Sequence, residues 1–204
     1  SETSIWPRGL PLDMVRKRVP PIEDLAVQRT DCPIQQGLAD LNPDVDAIYR
    51  LLFPLPVSFS SDRKIALGRD SWCPFNSQNT TWYKNAFPLL YLPSYCSFRM
   101  TDIWRSLVAQ RIAWENDWAI LFDRPSVEQE RNEHDLMQDF ADEVSGYINN
   151  SKIARKLSDL TLNPGADEIA SNMEKCYSSL VDLGAVPKEE LGLLHSWLDD
   201  IQNL

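Results

Sequence analysis

Histidine is scarce in this 204-residue chain: only His134 and His195 occur. The four cysteines, Cys32, Cys73, Cys96 and Cys176, form no CxxC pair, which argues against a zinc or thioredoxin-like site. Their spacing is compatible with two disulfides or with scattered buried thiols. Long apolar runs are missing too. The longest, Phe87–Leu92, contains Pro88 and is far too short to cross a bilayer. No signal peptide opens the chain, and no repeat or low-complexity segment is present. Basic residues cluster only at Arg16-Lys17-Arg18, and the formal net charge is -10, so nucleic acid is excluded as the expected partner. The first residue is Ser1 and not methionine, so a piece cut from a longer protein is expected.

What is present is unevenly distributed. Residues 1–100 carry 11 basic and 10 acidic residues, whereas residues 101–204 carry 9 and 20. Eleven of the 14 prolines lie before residue 94. The front is therefore neutral and punctuated by proline, and the back is acidic and proline-poor. With 43% apolar residues the chain can build a core, and its length suits one large domain or a domain with an appendage.

The front reads as loops with short elements. Residues 1–30 are expected to be loop with a short helix, broken at Pro20-Pro21. Residues 43–52 fit a short helix or a strand. Short strands are expected at Lys64–Leu67 and Tyr95–Phe98, with a helical turn over 82–92 that ends near Pro88. The stretch 68–81 is loop, anchored by Trp72 and Phe75. The back is mostly helical. Thr101 suits an N-cap with Asp102 in the first turn, and Ile103, Leu107, Val108 and Ile112 share one face of a helix to about Asn116. Trp118–Phe122 is a candidate strand ended by Arg124-Pro125. Asp135 with Gln138 resembles a capping box, followed by a stripe of Leu136, Met137, Phe140, Val144, Tyr147 and Ile148. Helices are expected at 152–160, 166–182 and 187–202, with Gly184 after one helix end and Pro187 opening the last.

Several residues could carry chemistry. Asp44-Val45-Asp46 matches the DxD pattern that holds a divalent cation in glycosyltransferases, and equally reads as a solvated or capping pair. Asp102 is either a simple N-terminal charge or a general base aimed into a cleft. His134, beside Asp135 in a polar run, is a candidate ligand, and His195 belongs to an amphipathic helix. In the PFNSQNT loop Asn76, Gln78 and Asn79 offer donors and acceptors together, which suits sugar hydroxyls. Trp72 and Phe75 could line a cleft, and Trp82 and Tyr83 could stack on a sugar face. The same amides could instead bond their own backbone. Asn79-Thr80-Thr81 and Asn149-Asn150-Ser151 are glycosylation sequons.

The runs WPRGLPLDMV (6–15), IQQGLADLNPDVDAIYRL (34–51), PFNSQNT (74–80), FRMTDIWRSLVAQRIAWE (98–115) and RNEHDLMQDF (131–140) resemble the STELLO family of glycosyltransferases. The likeness covers about residues 5–145. A more distant likeness is to the plant reversibly glycosylated polypeptides, the UDP-arabinopyranose mutases. The resemblance implies an α/β fold, the second half of a GT-A-type glycosyltransferase-like mixed sandwich (1–145); outside it, residues 146–204 read as a helical acidic tail. It implies a nucleotide-sugar-dependent transferase acting on a UDP-sugar and a glycan acceptor, with Mn²⁺ or Mg²⁺ as cofactor. Asp102 matches an acidic helix start near the acceptor. His134 matches a late histidine that completes the metal shell. Trp72, Asn76, Gln78 and Asn79 fall on the sugar-side loop, and Arg8 and Arg99 are expected phosphate partners. Asp44 and Asp46 match a PDYDA-like element, so the metal role is not carried onto them. The family's setting implies the Golgi lumen and contact with other polysaccharide-synthesis proteins. The alternatives are a non-catalytic scaffold of the same fold, for which the acidic tail speaks, and a plain soluble α/β domain.

Overall fold

The structure, a computed structural model, describes residues 5–17, 19–130, 132 and 135–203. Its elements in chain order are β1 (Asp31–Leu41), α1 (Ala47–Leu52), β2 (Ile65–Leu67), β3 (Thr80–Trp82), α2 (Thr101–Glu115), β4 (Trp118–Gln129), α3 (Leu136–Ser158), α4 (Ile169–Asp182) and α5 (Glu190–Gln202). The four strands form one mixed sheet in the order β2-β4-β1-β3. The long central strands β1 and β4 run parallel, and the two short edge strands are antiparallel to them. A parallel pair needs a crossover connection, and α2 lies within this one. The fold is thus mixed α/β.

Several elements depart from their expected form, each for a local reason. β1 carries no alternating apolar pattern because its buried positions include Gln36 and Ala39 beside Ile34. β4 does not end at Arg124-Pro125 but continues to Gln129. Proline cannot donate to a ladder, and the register slips on both sides of Leu38, which faces Pro125, so the strand bulges past it. Tyr95–Phe98 is not a strand: the Ser94 and Tyr95 N–H groups bond the Glu190 carboxylate instead of a neighbouring chain. Thr101 is not an N-cap. A 3₁₀ turn over Phe98–Met100 runs straight into α2, and the Thr101 hydroxyl donates back to Phe98 O at 3.0 Å. The 3₁₀ turn Lys84–Leu90 passes through Pro88. Residues 43–52 resolve as α1, capped by Asp46, whose side chain accepts from Tyr49 N. The expected helices 136–148 and 152–160 are one helix, α3, capped by Asp135 as anticipated. α4 ends on Gly184 at φ +67, where the left-handed turn suits glycine. α5 begins at Glu190, with Pro187 in the turn before it.

One apolar core joins sheet and helices. Ile34 and Ile120 pack under α2, and Ile153 and Leu157 of α3 continue the core to Met173, Tyr177 and Leu180 of α4 and Leu194 and Leu198 of α5. α2 is buried on every side from Asp102 to Trp114. Its Arg111 is satisfied by Leu157 O, Leu160 O and Glu115. α3 is turned from its expected orientation, so that Leu136, Phe140 and Tyr147 of the stripe are only half-buried. Met137 and Ile148 of its apolar stripe are 62% and 55% exposed, and the buried face carries Asp139, Glu143 and Asn150. That polar face holds the front of the chain: Glu143 accepts from Ala47 N at 2.8 Å, and Asn150 bonds Trp104 Nε1 and Gly9 O at 2.9 and 2.8 Å. α3 runs without a break through residues 145 and 146, and the core contains residues from both sides of that point. All four cysteines are free thiols, and burial pushes Cys73, Cys96 and Cys176 each up to about 12. Among the described residues no helix is long and apolar enough to cross a membrane.

Candidate functional site

In open α/β sheets, ligands bind beyond the carboxyl ends of parallel strands. A polar cleft of about 260 Å³ occupies that place here, lined by Arg8, Asn42, Asp44, Arg50, Gln78, Arg99, Asp102 and Gln129. Asn42 follows the last residue of β1, and Gln129 is the last residue of β4.

The cleft is organised by Arg8. Gly9, at φ +87, lets the chain approach α2 so closely that an added Cβ would lie 2.3 Å from Ile103 Cγ2. Arg8 N donates to Asp44 O at 2.9 Å, which fixes the N-terminal segment on the residues after β1. The Arg8 guanidinium then grips two carboxylates. Nε and Nη2 donate to Asp44 at 3.0 and 2.7 Å, and Nη1 and Nη2 donate to Asp102 at 3.1 and 3.0 Å. Nη1 also donates to Arg99 O. Burial works against the Arg8 charge, but the attraction of Asp44 and Asp102 outweighs it and raises the Arg8 pKa above the ordinary arginine value. The Asp44 carboxyl is held below its usual value, because Arg8 overcomes the burial that would raise it.

Asp102 also accepts from Ser77 N at 3.0 Å. A carboxylate has about four acceptor sites, so roughly one of its sites remains toward the cleft. Ser77 Oγ accepts from Arg105 Nη2 at 3.1 Å, and the Arg105 guanidinium lies over the Trp82 ring at 4.9 Å. Arg99, on the cleft wall, is held by Glu143 through Nε at 3.0 Å and through Nη2.

The structure gathers Arg8, Gln78, Arg99 and Asp102 in this cleft and sets Trp72, Asn76 and Asn79 outside its lining. Asn76 is buried behind the loop: its N–H donates to Gln36 Oε1 at 3.0 Å, and its Oδ1 accepts from Gln78 N at 2.9 Å. Asn79 donates to Leu38 O and Ser126 Oγ at 3.2 and 2.9 Å. These two amides bond the surrounding backbone and side chains. Gln78 reaches Asn42 O at 3.3 Å. Trp72 packs on Trp114 at 4.6 Å and donates to Ser158 Oγ at 3.2 Å, outside the cleft lining. His134 lies outside the described residues. Sequence reasoning missed Asn42, Arg50 and Gln129 as cleft residues, since only the strand topology brings them together. Asp44, set aside for a metal role, is instead one half of the Arg8 clamp, and Asp46 caps α1.

His134, the expected ligand of Mn²⁺ or Mg²⁺, lies outside the described residues, and the described cleft residues offer a cation few free oxygens. Among the described residues no group of three or more His, Cys, Asp or Glu side chains is placed to hold a metal ion. Asp44 and most of Asp102 face a guanidinium, which excludes a cation from the same oxygens.

The chain is thus a mixed α/β protein with a carboxylate-bearing polar cleft at the carboxyl ends of its parallel strand pair. The match to known proteins is more specific. A family model described as STELLO glycosyltransferases matches residues 99–204, just over half of the chain, and the chain belongs to that family. It is 28% identical over 213 residues, 98% of its length, to the Arabidopsis thaliana protein named "Probable glycosyltransferase STELLO2". It is 33% identical over 120 residues, 56% of its length, to the protein of the same plant named "Probable glycosyltransferase STELLO1". These matches span 26% and 16% of the two relatives. The family match includes the whole helical tail, which was expected to lie outside the resemblance.

Proposed function

We propose that this chain is the acceptor- and sugar-side part of a nucleotide-sugar-dependent glycosyltransferase. The observation that carries the reading is the Arg8 clamp, which holds Asp44 and Asp102 side by side at the carboxyl ends of β1 and β4. Asn42, Gln78 and Gln129 give the cleft amides that both donate and accept, as ring hydroxyls require. The donor we propose is a UDP-sugar and the acceptor a glycan.

Each residue then has a role set by its contacts. Arg8 is a positioning residue, because its donors already face protein acceptors. Asp44 balances its charge. Asp102 turns its remaining acceptor site to the incoming hydroxyl. As the new bond to the anomeric carbon forms, the hydroxyl proton passes to Asp102. The old bond to the diphosphate breaks with its electron pair on the leaving oxygen.

Asp102→Asn in the full-length protein tests this. Transfer from a panel of UDP-sugars should fall by about 10²–10⁴-fold, with the far-UV spectrum and melting transition preserved. Activity at the wild-type level removes Asp102 from the reaction. A wild-type protein that binds partner enzymes of polysaccharide synthesis and transfers no sugar supports the scaffold alternative. The compartment we propose is the Golgi lumen, checked by imaging a tagged full-length protein in cells.

A further inference from the structure

The tail ends its docking on the segment that feeds the cleft. Glu190, the first residue of α5, is fully buried. Among the described residues it has no basic partner. Its carboxylate accepts from Ser94 N at 3.1 Å to either oxygen, from Tyr95 N at 2.8 Å, and from the Tyr91 hydroxyl. Two further contacts fix the same connector. Trp197 Nε1 donates to Pro88 O at 2.8 Å, and the Tyr91 and Tyr177 rings meet edge to face at 5.2 Å.

A buried carboxylate is costly, and an apolar residue of similar volume often stabilises a fold as well or better. What Glu190 supplies is geometry. The turn it grips leads within a few residues to Ser97, which bonds Asp142 O at 2.5 Å, then to Arg99, whose carbonyl receives Arg8 Nη1, and then to Asp102. We propose that Glu190 is a positioning residue for the cleft: by fixing the 91–96 turn it sets the Arg99 carbonyl and Asp102 against Arg8. The acidic tail is on this view part of the site's support. Only the activity arm of the test rests on the glycosyl-transfer reading.

The test uses the whole chain and follows proton exchange at Arg8 Nε–H by NMR. Glu190→Gln keeps the volume but offers the two N–H groups one acceptor oxygen and an NH₂. Exchange at Arg8 Nε–H should rise about tenfold, the loss of one charge-assisted hydrogen bond, with the β1 amides unchanged. Trp197→Phe, which removes the Pro88 hydrogen bond and part of the ring packing on Tyr91 but leaves the Glu190 carboxylate in place, should leave Arg8 as in wild type. If Glu190→Gln does not fold, Glu190→Asp, which shortens the reach, is read the same way. Wild-type exchange at Arg8 overturns the proposal, as does an equal rise at Arg8 and throughout β1. In an active full-length protein Glu190→Gln should lower kcat with KM for the nucleotide sugar unchanged, and an unchanged kcat overturns the positioning role. If the wild-type protein transfers no sugar, the proposed function fails, and the Arg8 exchange still decides this inference.

Discussion

The front of the chain and its back are held by different forces. From α2 to α5 the helices share an apolar core through Leu107, Ile112, Ile153, Tyr177, Leu180 and Leu194. Of the front, Ile34, Phe75, Leu89 and Met100 join that core, whereas the N-terminal segment with α1 forms a separate small cluster of Trp6, Val45 and Tyr49. The front is also fastened to the back by long-range polar bonds: Arg8 to Asp102, Gly9 O to Asn150, Ala47 N to Glu143, and Arg99 to Glu143. The cleft lies on that polar seam. Apolar cores fix position by volume, which tolerates small shifts. Buried ion pairs and hydrogen bonds fix angle and distance, and they lose heavily when one partner goes.

The comparison breaks or holds first at Glu143. Glu143→Ala removes the acceptor of Ala47 N, Arg99 and the Tyr147 hydroxyl at one stroke. It should cost about 4 kcal/mol in urea unfolding, the loss typical of a broken buried pair. Amide exchange should rise in α1 and spare α4 and α5. Leu180→Ala, a core truncation of about 2–5 kcal/mol, should raise exchange throughout. Identical exchange patterns for the two would show that the halves are not held differently.

Gly9→Ala comes next. The left-handed backbone and the 2.3 Å approach to Ile103 Cγ2 act together, and the loss should be about 3 kcal/mol, from strain plus overpacking. If Ile103→Ala in the same chain recovers part of it, the close approach is the cause.

The pH dependence sharpens the contrast further. Asp44 is held below 3.8 by Arg8 despite its burial. Its contribution to stability is therefore present above the ordinary carboxylate range and lost as pH falls through the folded-state value. Asp46, raised by burial, acts in the opposite sense: its contribution is present in acid and lost as pH rises through its folded-state value. Asp44→Asn should cost about 2 kcal/mol at neutral pH and flatten the loss of stability toward acid. A steep acid limb retained in that variant would assign it to other carboxylates.

Much of this arrangement was legible in the sequence, unevenly. The helical back was readable because α2, α4 and α5 have long periodic patterns and Gly184 marks a helix end. β1 was not, because Gln36 is buried where an apolar residue would have signalled a strand. It earns that place by accepting from Asn76 N and the Thr80 hydroxyl. The α3 stripe was misplaced because the first part of its buried face, Asp139, Glu143 and Asn150, is polar before Ile153 and Leu157 follow, and a periodicity argument assigns carboxylates to solvent. Arg8 and Asp102 stood out by type and motif. Their pairing did not, since they are 94 positions apart and only the fold brings them together.

The smallest effect separates two neighbouring tyrosines of the main core. Tyr91 and Tyr177 pack edge to face at 5.2 Å and are both buried. The Tyr91 hydroxyl donates to Glu190, whereas the Tyr177 hydroxyl has no hydrogen-bond partner among the described residues. Tyr91→Phe deletes a bond to a buried carboxylate and should cost about 1.5–3 kcal/mol. Tyr177→Phe deletes a buried polar atom without a protein partner, so it should be neutral or stabilise by up to about 1 kcal/mol. Thermal melts of the two variants check both values side by side. A loss at Tyr177 equal to that at Tyr91 would mean that an ordered water answers its hydroxyl. The main core would then depend on polar bonds as the seam around the cleft does.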